Sequence, residues 1–364
     1  NKIIDTKIFQ AKHFLVGEKD FIKNICQDNK NYILVNTENV QFHNTDYKLL
    51  SNLENISNRT IASIIYGDRV LKNRDFNSSI KYLSYIATNF LENVNLYKPQ
   101  LVIGAKDSGH AVIVYMCCKL LNIPWIYAYY FALPPNRIAY LNDLNPGALE
   151  EMPESIDVIS LKECNEVINK FKKRQVKYQN TNFGHSLLKN FKSYSQNLTK
   201  RIANKVEYNP YIWPTVKERI IDLSYRFKNR IKYPYEYLLQ EYPKSKYIFF
   251  TLHMYPEATI DVYSPILNNQ FALLDQISKS IPCTHKLVVK PHYLDPFSWG
   301  RREIINLINN KNVFFCNYNL DSYELIKNAD LVLTIQGTSA LEASLLGIPS
   351  IMFGDSPFKV FSTC

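Results

Sequence analysis

This sequence has 364 residues, of which 46% are hydrophobic and 21% charged, and its formal net charge at pH 7 is +10. The composition excludes a disordered chain, and the length favours two domains that each bury their own core. The most apolar run, residues 111 to 121, contains Lys119, so no stretch reaches the ~18 apolar residues that a spanning helix needs. Without a secretory signal at its start, and with seven cysteines in no metal-binding spacing, the chain is expected to be cytoplasmic, reduced and free of structural zinc.

The first half alternates predicted strands and helices. Residues 31–36 predict an early strand, residues 79–94 an amphipathic helix and residues 99–104 a second strand. A polar loop follows this strand, and then come a predicted helix over 111–121 and a strand over 123–128. This succession is that of a β–α–β unit with parallel strands.

Positive charge is concentrated between residues 167 and 232. This basic segment contains 16 Lys or Arg residues against three acidic ones, and aromatic residues are interleaved with them throughout. The pattern predicts a mostly helical segment with breaks at Pro210, Pro214 and Pro234. Such a segment can lie on anionic lipid, follow a phosphate backbone, hold an anionic glycan, or form solvated helical faces over an aromatic core.

A second α/β run begins after Pro243, which puts the predicted domain boundary near residue 240. We therefore expect an amino-terminal domain over 1–240, which includes the basic segment, and a carboxyl-terminal domain over 241–364. Each would be large enough to bury a core of its own.

Three predicted strands of the second run are each followed by polar residues. These strands cover 247–250, 286–289 and 331–335, and a helix over 340–346 and a strand over 349–353 come after them. The carboxyl ends of parallel strands are where open α/β sheets bind ligands. The candidate ligand-binding residues at these ends are His253, Glu257, Lys290, His292, Gln336, Gly337, Thr338, Ser339 and Glu342.

The turn before the last predicted helix has the composition of an anion site. Gly337 permits a close approach of the backbone, and Thr338 and Ser339 can cap the helix while its amide groups point at a phosphate. Lys290 and His292 can neutralise a diphosphate or a sugar carboxylate. Each feature alone also fits an ordinary helix cap or a surface pair, so the expectation rests on their combination.

The second run also carries several motifs of one protein family. Residues 251–257, Thr-Leu-His-Met-Tyr-Pro-Glu, are similar to its Pro-Leu-His-x-x-Pro-Glu element, and residues 289–293 are similar to its Val-Lys-Glu-His-Pro element, with Pro291 and Tyr293 as departures. Residues 336–343 are similar to its Thr-Gly-Thr-x-x-x-Glu-Ala element, and residues 347–354 are similar to its Gly-x-Pro-x-x-x-Phe-Gly element. On these motifs, the last third of the chain resembles the bacterial capsule polysaccharide biosynthesis family, which includes Kdo transferases.

The resemblance implies two Rossmann-like domains that face each other across a cleft, the GT-B architecture, with the donor in the carboxyl-terminal domain and the acceptor in the amino-terminal one. It implies a glycosyltransferase that moves a Kdo-like or other sugar from a nucleotide sugar, such as a CMP-sugar, to a surface-polysaccharide or lipid-linked acceptor. Neither a cofactor nor a metal ion is implied. Domains of this type continue past the strand at 349–353, so we expect the chain to be truncated at its carboxyl end.

The resemblance also gives roles to two parts of the amino-terminal domain. Asp107 and His110, in the loop after the strand at 99–104, are candidates to handle the proton of the acceptor hydroxyl, although Asp107 can also cap the next helix. Acceptors of this family are commonly lipid-linked at the inner face of the cytoplasmic membrane. The basic segment 167–232 is therefore expected to bind anionic lipid there, as part of a peripheral membrane protein.

Three other functions are compatible with the sequence. A non-hydrolysing UDP-sugar 2-epimerase shares this architecture and a Thr-Leu-His start, although Met254 and Tyr255 stand where that family usually has Arg and Glu. A polysaccharide assembly or export component would bind glycan without turnover. A nucleic-acid binder would account for the basic segment alone, but no helix-turn-helix, RNA-binding or zinc pattern accompanies it, so no nucleic-acid partner is expected.

Overall fold

The structure, a computed structural model, describes residues 15–17, 32–34, 37–131, 137–144, 161–173, 209–356 and 358. Within these ranges the chain forms two α/β parts, a first half up to residue 144 and a second half that begins after residue 232. The portion of the basic segment between residues 174 and 208 lies outside the described residues.

The first half consists of short strands and α-helices, with 3-10 turns at Thr37–Phe42 and Leu71–Asn73. Its strands are β1 (Leu15–Gly17), β2 (Tyr32–Leu34), β3 (Val102–Ile103), β4 (Trp125–Phe131) and β5 (Arg137–Leu141). Its helices are α1 (Tyr47–Ser57), α2 (Ile61–Gly67), α3 (Phe76–Tyr97) and α4 (Gly109–Leu120). β1 pairs with β2 and β3 with β4 in parallel, whereas β5 is antiparallel to β4.

The predicted β–α–β unit is present as β3, α4 and β4. β3 is shorter than its predicted strand, since only Val102 and Ile103 pair with β4. α4 packs against α1 and α3, and its Met116 and Cys117 side chains are fully buried in the hydrophobic core of this half. The antiparallel β5, which follows the unit, has no counterpart in the sequence-based prediction.

Two helices lie between the halves in the sequence, α5 (Leu161–Lys172) and α6 (Val216–Ile231). α6 begins at a capping box, because Thr215 accepts a hydrogen bond from the Glu218 amide and Glu218 accepts one from the Thr215 amide. Near its other end, the buried Asn229 donates a hydrogen bond of 3.0 Å to the Phe297 carbonyl. α6 therefore packs on the second half.

The second half is built on a parallel sheet of five strands in the order β10-β9-β6-β7-β8. The strands are β6 (Tyr247–Thr251), β7 (Lys286–Lys290), β8 (Val313–Phe315), β9 (Leu331–Thr334) and β10 (Ser350–Met352). The helices are α7 (Ala258–Asp261), α8 (Gln270–Ser280), α9 (Arg301–Ile308), α10 (Ser322–Lys327) and α11 (Thr338–Leu346). Single 3-10 turns occur at Tyr235–Tyr237, Pro265–Leu267 and Pro296–Ser298.

Both faces of this sheet are covered by helices, which explains why its strands read as continuous apolar runs. Alternate residues point to opposite faces, so Phe250 packs with α8 and α9 in one core cluster, whereas Phe249 packs with α10 and α11 in another. Both rings are fully buried. Together the two clusters fix the sheet between two layers of helices.

The strand order reverses between β6 and β9, because the chain first adds β7 and β8 on one side of β6 and then β9 and β10 on the other. This order is that of Rossmann-like folds, in which ligands bind outside the carboxyl ends of the strands at the point of reversal. The predicted α/β class with Rossmann-like parallel sheets is confirmed. The domain boundary near 240 stays a prediction, and Tyr233 and Leu238 pack in the second-half core.

The two halves contact each other through the segment that follows α7. Val262 and Tyr263 belong to the hydrophobic core of the first half, and the Arg59 guanidinium donates a hydrogen bond of 2.7 Å to the Val262 carbonyl. A Cβ atom at Gly67 would lie 2.2 Å from the Asp261 carbonyl oxygen, so the end of α2 fits against this segment only as glycine. No described helix combines the length and the hydrophobicity that a membrane span requires.

Candidate functional site

Polar side chains form a row across the carboxyl ends of β7, β6 and β9. Lys290 pairs with Thr251 in the β6–β7 register, and the Thr251 hydroxyl lies 3.4 Å from the Thr334 hydroxyl at the end of β9. All three residues lie on the face of the sheet that packs against α10 and α11. The Thr251 hydroxyl also bonds to Ser339 of α11 at 2.9 Å, which ties this row to the first turn of that helix.

Lys290 is a buried cation within this row. Its side chain is 3% exposed, and burial lowers the pKa of its ammonium to about 8. Glu342 on α11 is close enough for its charge to raise the pKa of Lys290 in part, but no hydrogen bond or ion pair joins Lys290 Nζ to any other described side chain. A buried charge without a bonded partner is costly. An anion bound beside it would remove that cost.

The amino end of α11 is open to such an anion. Gly337 is the N-cap residue, and no side chain caps the helix. The expected capping by Thr338 and Ser339 is wrong, since both residues lie inside the first turn and Ser339 bonds to Thr251 instead. A Cβ atom at Gly337 would lie 2.5 Å from Thr334 Oγ1, so only glycine fits this turn. Free amides and the helix dipole favour negative charge at this position.

His253 connects the end of β6 with the turn before α11. The Gln336 amide donates to His253 Nε2 at 3.3 Å, so Nε2 must be the unprotonated nitrogen. Nδ1 then carries the proton and faces the Glu257 carboxylate at 3.3 Å. Because both ring nitrogens have protein partners, His253 positions the turn and Glu257. The structure brings it into the cluster but does not leave its ring free for a ligand.

Glu257 and His292 are close enough for the charge of Glu257 to act on the pKa of His292. Burial alone would raise the pKa of Glu257, but the hydrogen bond from His253, with smaller contributions from other neighbouring groups, lowers it by more, so the pKa of Glu257 is below its usual range. Thr259 also donates to this carboxylate, at 3.1 Å. Glu257 is therefore a fixed negative charge at the edge of the site.

His292 is a neutral donor, because burial lowers its pKa to about 4. Its Nδ1 accepts a hydrogen bond of 3.3 Å from the Leu294 amide, so the proton is on Nε2. The ring stacks on Tyr293 with 4.9 Å between centroids, which fixes its plane. Among the described residues no partner is bonded to Nε2, and this N–H is available to a ligand.

The remaining predicted residues of this cluster differ in how firmly their side chains are held by other protein groups. Burial raises the pKa of Glu342 to about 7, and the Thr338 hydroxyl donates to it at 3.5 Å. Gln336 is buried and donates to the Ser264 hydroxyl at 2.7 Å, so it holds the turn against the segment after α7. Across the described ranges no three His, Cys, Asp or Glu side chains come together as a metal site.

Asp107 and His110 lie in the first half, at the carboxyl end of β3. Asp107 is exposed and pairs with Arg69 at 3.7 Å. It does not cap α4, because Ser108 is the N-cap residue and the Asp68 carboxylate accepts the Gly109 amide hydrogen bond at 2.7 Å. His110 Nε2 lies 3.1 Å from the Ser108 hydroxyl. Asp107 is thereby left exposed near Tyr263, whose pKa is raised mainly by burial and also by the charge of Asp107.

Lys106, which precedes Asp107, is not among the residues predicted from the sequence. Its ammonium lies between three tyrosine rings, 4.6 Å from the centroid of Tyr127 and 4.5 Å from those of Tyr129 and Tyr263. Burial lowers its pKa to about 8. The spacing of Tyr127 and Tyr129 on one strand face was a usable signal, but the third ring comes from the second half and has no local signature.

Comparison with known proteins gives only remote similarities. The sequence matches no protein-family model, and no curated protein is similar to it. Among solved structures, the β-Kdo 2,7 transferase of KpsC from Thermosulfurimonas dismutans is 22% identical over 41% of this chain and 44% of its own, with a TM-score of 0.27. The match thus spans less than half of that protein's length.

Two further solved structures are similar over more of the chain. The β-Kdo 2,4 transferase of the same KpsC is 13% identical over 71% of this chain and 70% of its own, with a TM-score of 0.32. UDP-GlcNAc 2-epimerase from Neisseria meningitidis is 14% identical over 93% of this chain and 81% of its own, with a TM-score of 0.25. At such values the function has to be argued from the site itself.

Proposed function

We propose that this chain is a GT-B-type glycosyltransferase that moves a sugar, Kdo-like or another, from a nucleotide sugar to a surface-polysaccharide or lipid-linked acceptor. One observation carries the proposal: the buried Lys290 ammonium, unpaired among the described residues, lies at the strand ends that border the uncapped amino end of α11. An anionic group fits this arrangement, and a nucleotide sugar brings one in its phosphate.

In the proposed reaction the donor phosphate occupies the amino end of α11, beside Lys290. Negative charge grows on this phosphate as its bond to the anomeric carbon breaks, and the helix amides and the ammonium stabilise that charge. His292 donates a further hydrogen bond from Nε2, and Glu342 accepts one from a ribose hydroxyl. The proposal thus assigns the stabilisation of the leaving group to protein groups and not to a metal ion.

The acceptor would approach from the first half, where Asp107 and His110 are the candidates to take its hydroxyl proton. Asp107 is the more accessible of the two side chains, and its position near Tyr263 supports a role between the halves. We expect Asp107→Ala or His110→Ala to abolish transfer and to leave donor binding intact. Unchanged turnover in both variants would remove this assignment.

Thermal unfolding in the presence of CMP-, UDP- and GDP-sugars tests the donor site. A ligand that binds only the folded chain raises its melting temperature, so one nucleotide class should stabilise the wild type. Lys290→Met should abolish that shift, whereas Lys286→Met at the start of the same strand should retain it. If no nucleotide sugar stabilises the chain, or if Lys290→Met responds like the wild type, the donor site is not where we put it.

The products then identify the reaction. A transferase releases the free nucleotide and extends a glycan acceptor, whereas a 2-epimerase returns an isomerised nucleotide sugar. A binding component without turnover leaves the donor unchanged. The proposal predicts nucleotide release that depends on an added acceptor, and isomerisation without release would replace it with the epimerase function.

A further inference from the structure

α6 has its apolar side turned away from the protein. Val216, Ile220, Leu223, Phe227 and Ile231 recur every three or four residues, so they share one face of the helix. These side chains are exposed, from 42% for Leu223 to 67% for Phe227. A helix that packs on a protein core normally buries its apolar face. The exposed apolar face of α6 is therefore expected to contact something other than the described part of the chain.

The residues through which α6 contacts the protein are polar and lie away from the stripe. Glu218 forms an ion pair with Arg74 of the first half. Arg226 donates a hydrogen bond of 2.9 Å to the Tyr255 carbonyl in the second half, and Asn229 is buried against the Phe297 carbonyl. These contacts to both halves fix the rotation of the helix, so its apolar stripe is held outward.

Basic residues border the apolar stripe on both sides. Because successive residues turn by about 100°, Lys217 and Lys228 lie along one border and Arg219 along the other. The acidic residues of the helix, Glu218 and Asp222, lie on the opposite side. Within the described ranges no ion pair involves these three basic side chains, so their charges face outward with the stripe.

We infer that this outward face of α6, the apolar stripe with its basic borders, binds the surface of an anionic lipid bilayer. A bilayer offers both things that the face requires, an apolar layer for the stripe and negative headgroups for the borders. The lysine stems can lie along the acyl boundary while their ammonium groups reach the phosphates. The inference does not depend on the proposed enzymatic reaction.

Two other partners for this face of α6, another segment of this chain and a second copy of the chain, would place positive charges next to its basic borders. Residues 174–208 of this chain contain seven Lys or Arg and one acidic residue, so placing them over the basic borders of α6 would be unfavourable. A second copy of the chain would meet the stripe with the same basic borders. Charge complementarity therefore favours an anionic surface over either one.

Co-sedimentation of the full chain with vesicles tests this inference. We expect binding to an equimolar mixture of phosphatidylcholine and phosphatidylglycerol, weak binding to phosphatidylcholine alone, and release by salt. Lys217→Gln and Lys228→Gln should each lower the partition coefficient roughly fivefold, as expected for the loss of one charge near a membrane. Ile220→Asn with Phe227→Asn should lower it by about tenfold or more, since the stripe can then no longer enter the boundary.

Two control variants make the same kinds of substitution outside α6, so they test whether the effect depends on the position of the changed residue. Lys244→Gln and Ile266→Asn change an exposed lysine and an exposed isoleucine outside α6, and both variants should bind as the wild type does. Circular dichroism confirms that every variant is folded. Binding that ignores lipid charge, or that the α6 substitutions leave unchanged, would overturn the inference. So would a lipid-free dimer that Ile220→Asn with Phe227→Asn converts to monomers, because the stripe would then be a contact between copies.

Discussion

Lys290 and Glu342 are two charges of opposite sign whose burial moves their pKa values toward neutrality. The pKa of Lys290 is lowered to about 8 and that of Glu342 is raised to about 7, in both cases mainly because water is excluded. Below pH 7 the Lys290 ammonium is charged and Glu342 is mostly protonated, so the net charge of the pair is positive. Above pH 8 Glu342 is ionised and Lys290 is mostly neutral, so the net charge is negative. The affinity of the site for an anion should therefore depend on pH in the range where an enzyme works.

We predict that nucleotide affinity falls as the pH rises from 7 to 9. Glu342 gains its negative charge at the start of this range and Lys290 loses its positive charge within it, so both changes weaken the binding of a phosphate. In Glu342→Gln only the loss from Lys290 should remain, and the fall should begin later. Isothermal titration across the range measures this, and an affinity that is constant or rises with pH contradicts it.

The hydrogen bonds of His253 give a prediction for stability. His253→Ala removes the partner of the half-buried Glu257 carboxylate and of the Gln336 amide, so we expect a loss of about 3 kcal/mol in the free energy of unfolding. Urea denaturation measures it. His285→Ala removes a more exposed pair with Asp330 at 3.5 Å and should cost at most about 1 kcal/mol. Equal costs for the two variants would mean that the His253 network is not structural.

At the scale of secondary structure elements, α11 is bounded by two glycines with different roles. Gly337 at its start has an ordinary φ of −76° but no room for a Cβ atom, whereas Gly347 at its end has a φ of +75° and nothing within 4 Å of an added Cβ. Packing therefore requires the first glycine, and backbone conformation favours the second.

Alanine at the two positions should separate ligand binding from stability. Gly337→Ala pushes against Thr334 and should abolish the nucleotide-dependent thermal shift, with a loss of about 1–3 kcal/mol in stability. Gly347→Ala should cost about 1 kcal/mol through its positive φ and keep the shift. Thermal shift and urea denaturation of both variants test this, and loss of the shift in Gly347→Ala alone would reverse the assignment.

The elements of the second sheet could be predicted because their apolar runs are long and end at polar residues. Strands at 247–250, 286–289 and 331–335 differ from β6, β7 and β9 by only one residue at an end. The lack of a side-chain cap on α11 could not be predicted, because Thr338 and Ser339 are of residue types that commonly cap helices. Only the contact of Ser339 with Thr251 shows that Ser339 has a different role. A cap depends on a single turn, whereas a buried strand repeats its signal over several residues.

At the scale of the whole molecule, the contacts between the halves join residues far apart in the sequence. Arg59 reaches Val262, and Lys106 lies between two tyrosines of β4 and Tyr263. No local pattern predicts such contacts, because the sequence around one partner carries no information about the position of the other. The sequence could therefore indicate two strand-end clusters, but not the tyrosine enclosure of Lys106 between the halves.

Arg59 provides a test of how firmly the halves are joined. Arg59→Met leaves the Val262 carbonyl without its charged donor, so we expect a loss of about 2 kcal/mol in the free energy of unfolding. Arg302→Met, an exposed arginine of α9, should change stability by no more than about 0.5 kcal/mol. Urea denaturation compares them, and an Arg59 variant as stable as the wild type would show that this contact does not join the halves.

The central claim is that a donor phosphate binds at the amino end of α11 beside the Lys290 ammonium. A crystal structure of the chain with the nucleotide of whichever sugar stabilises it tests this most directly. The account predicts phosphate oxygens within hydrogen-bond distance of the first α11 amides and of Lys290 Nζ, at the carboxyl ends of β6 and β9. A nucleotide bound elsewhere, with Lys290 still buried and the helix end filled only by water, would contradict it.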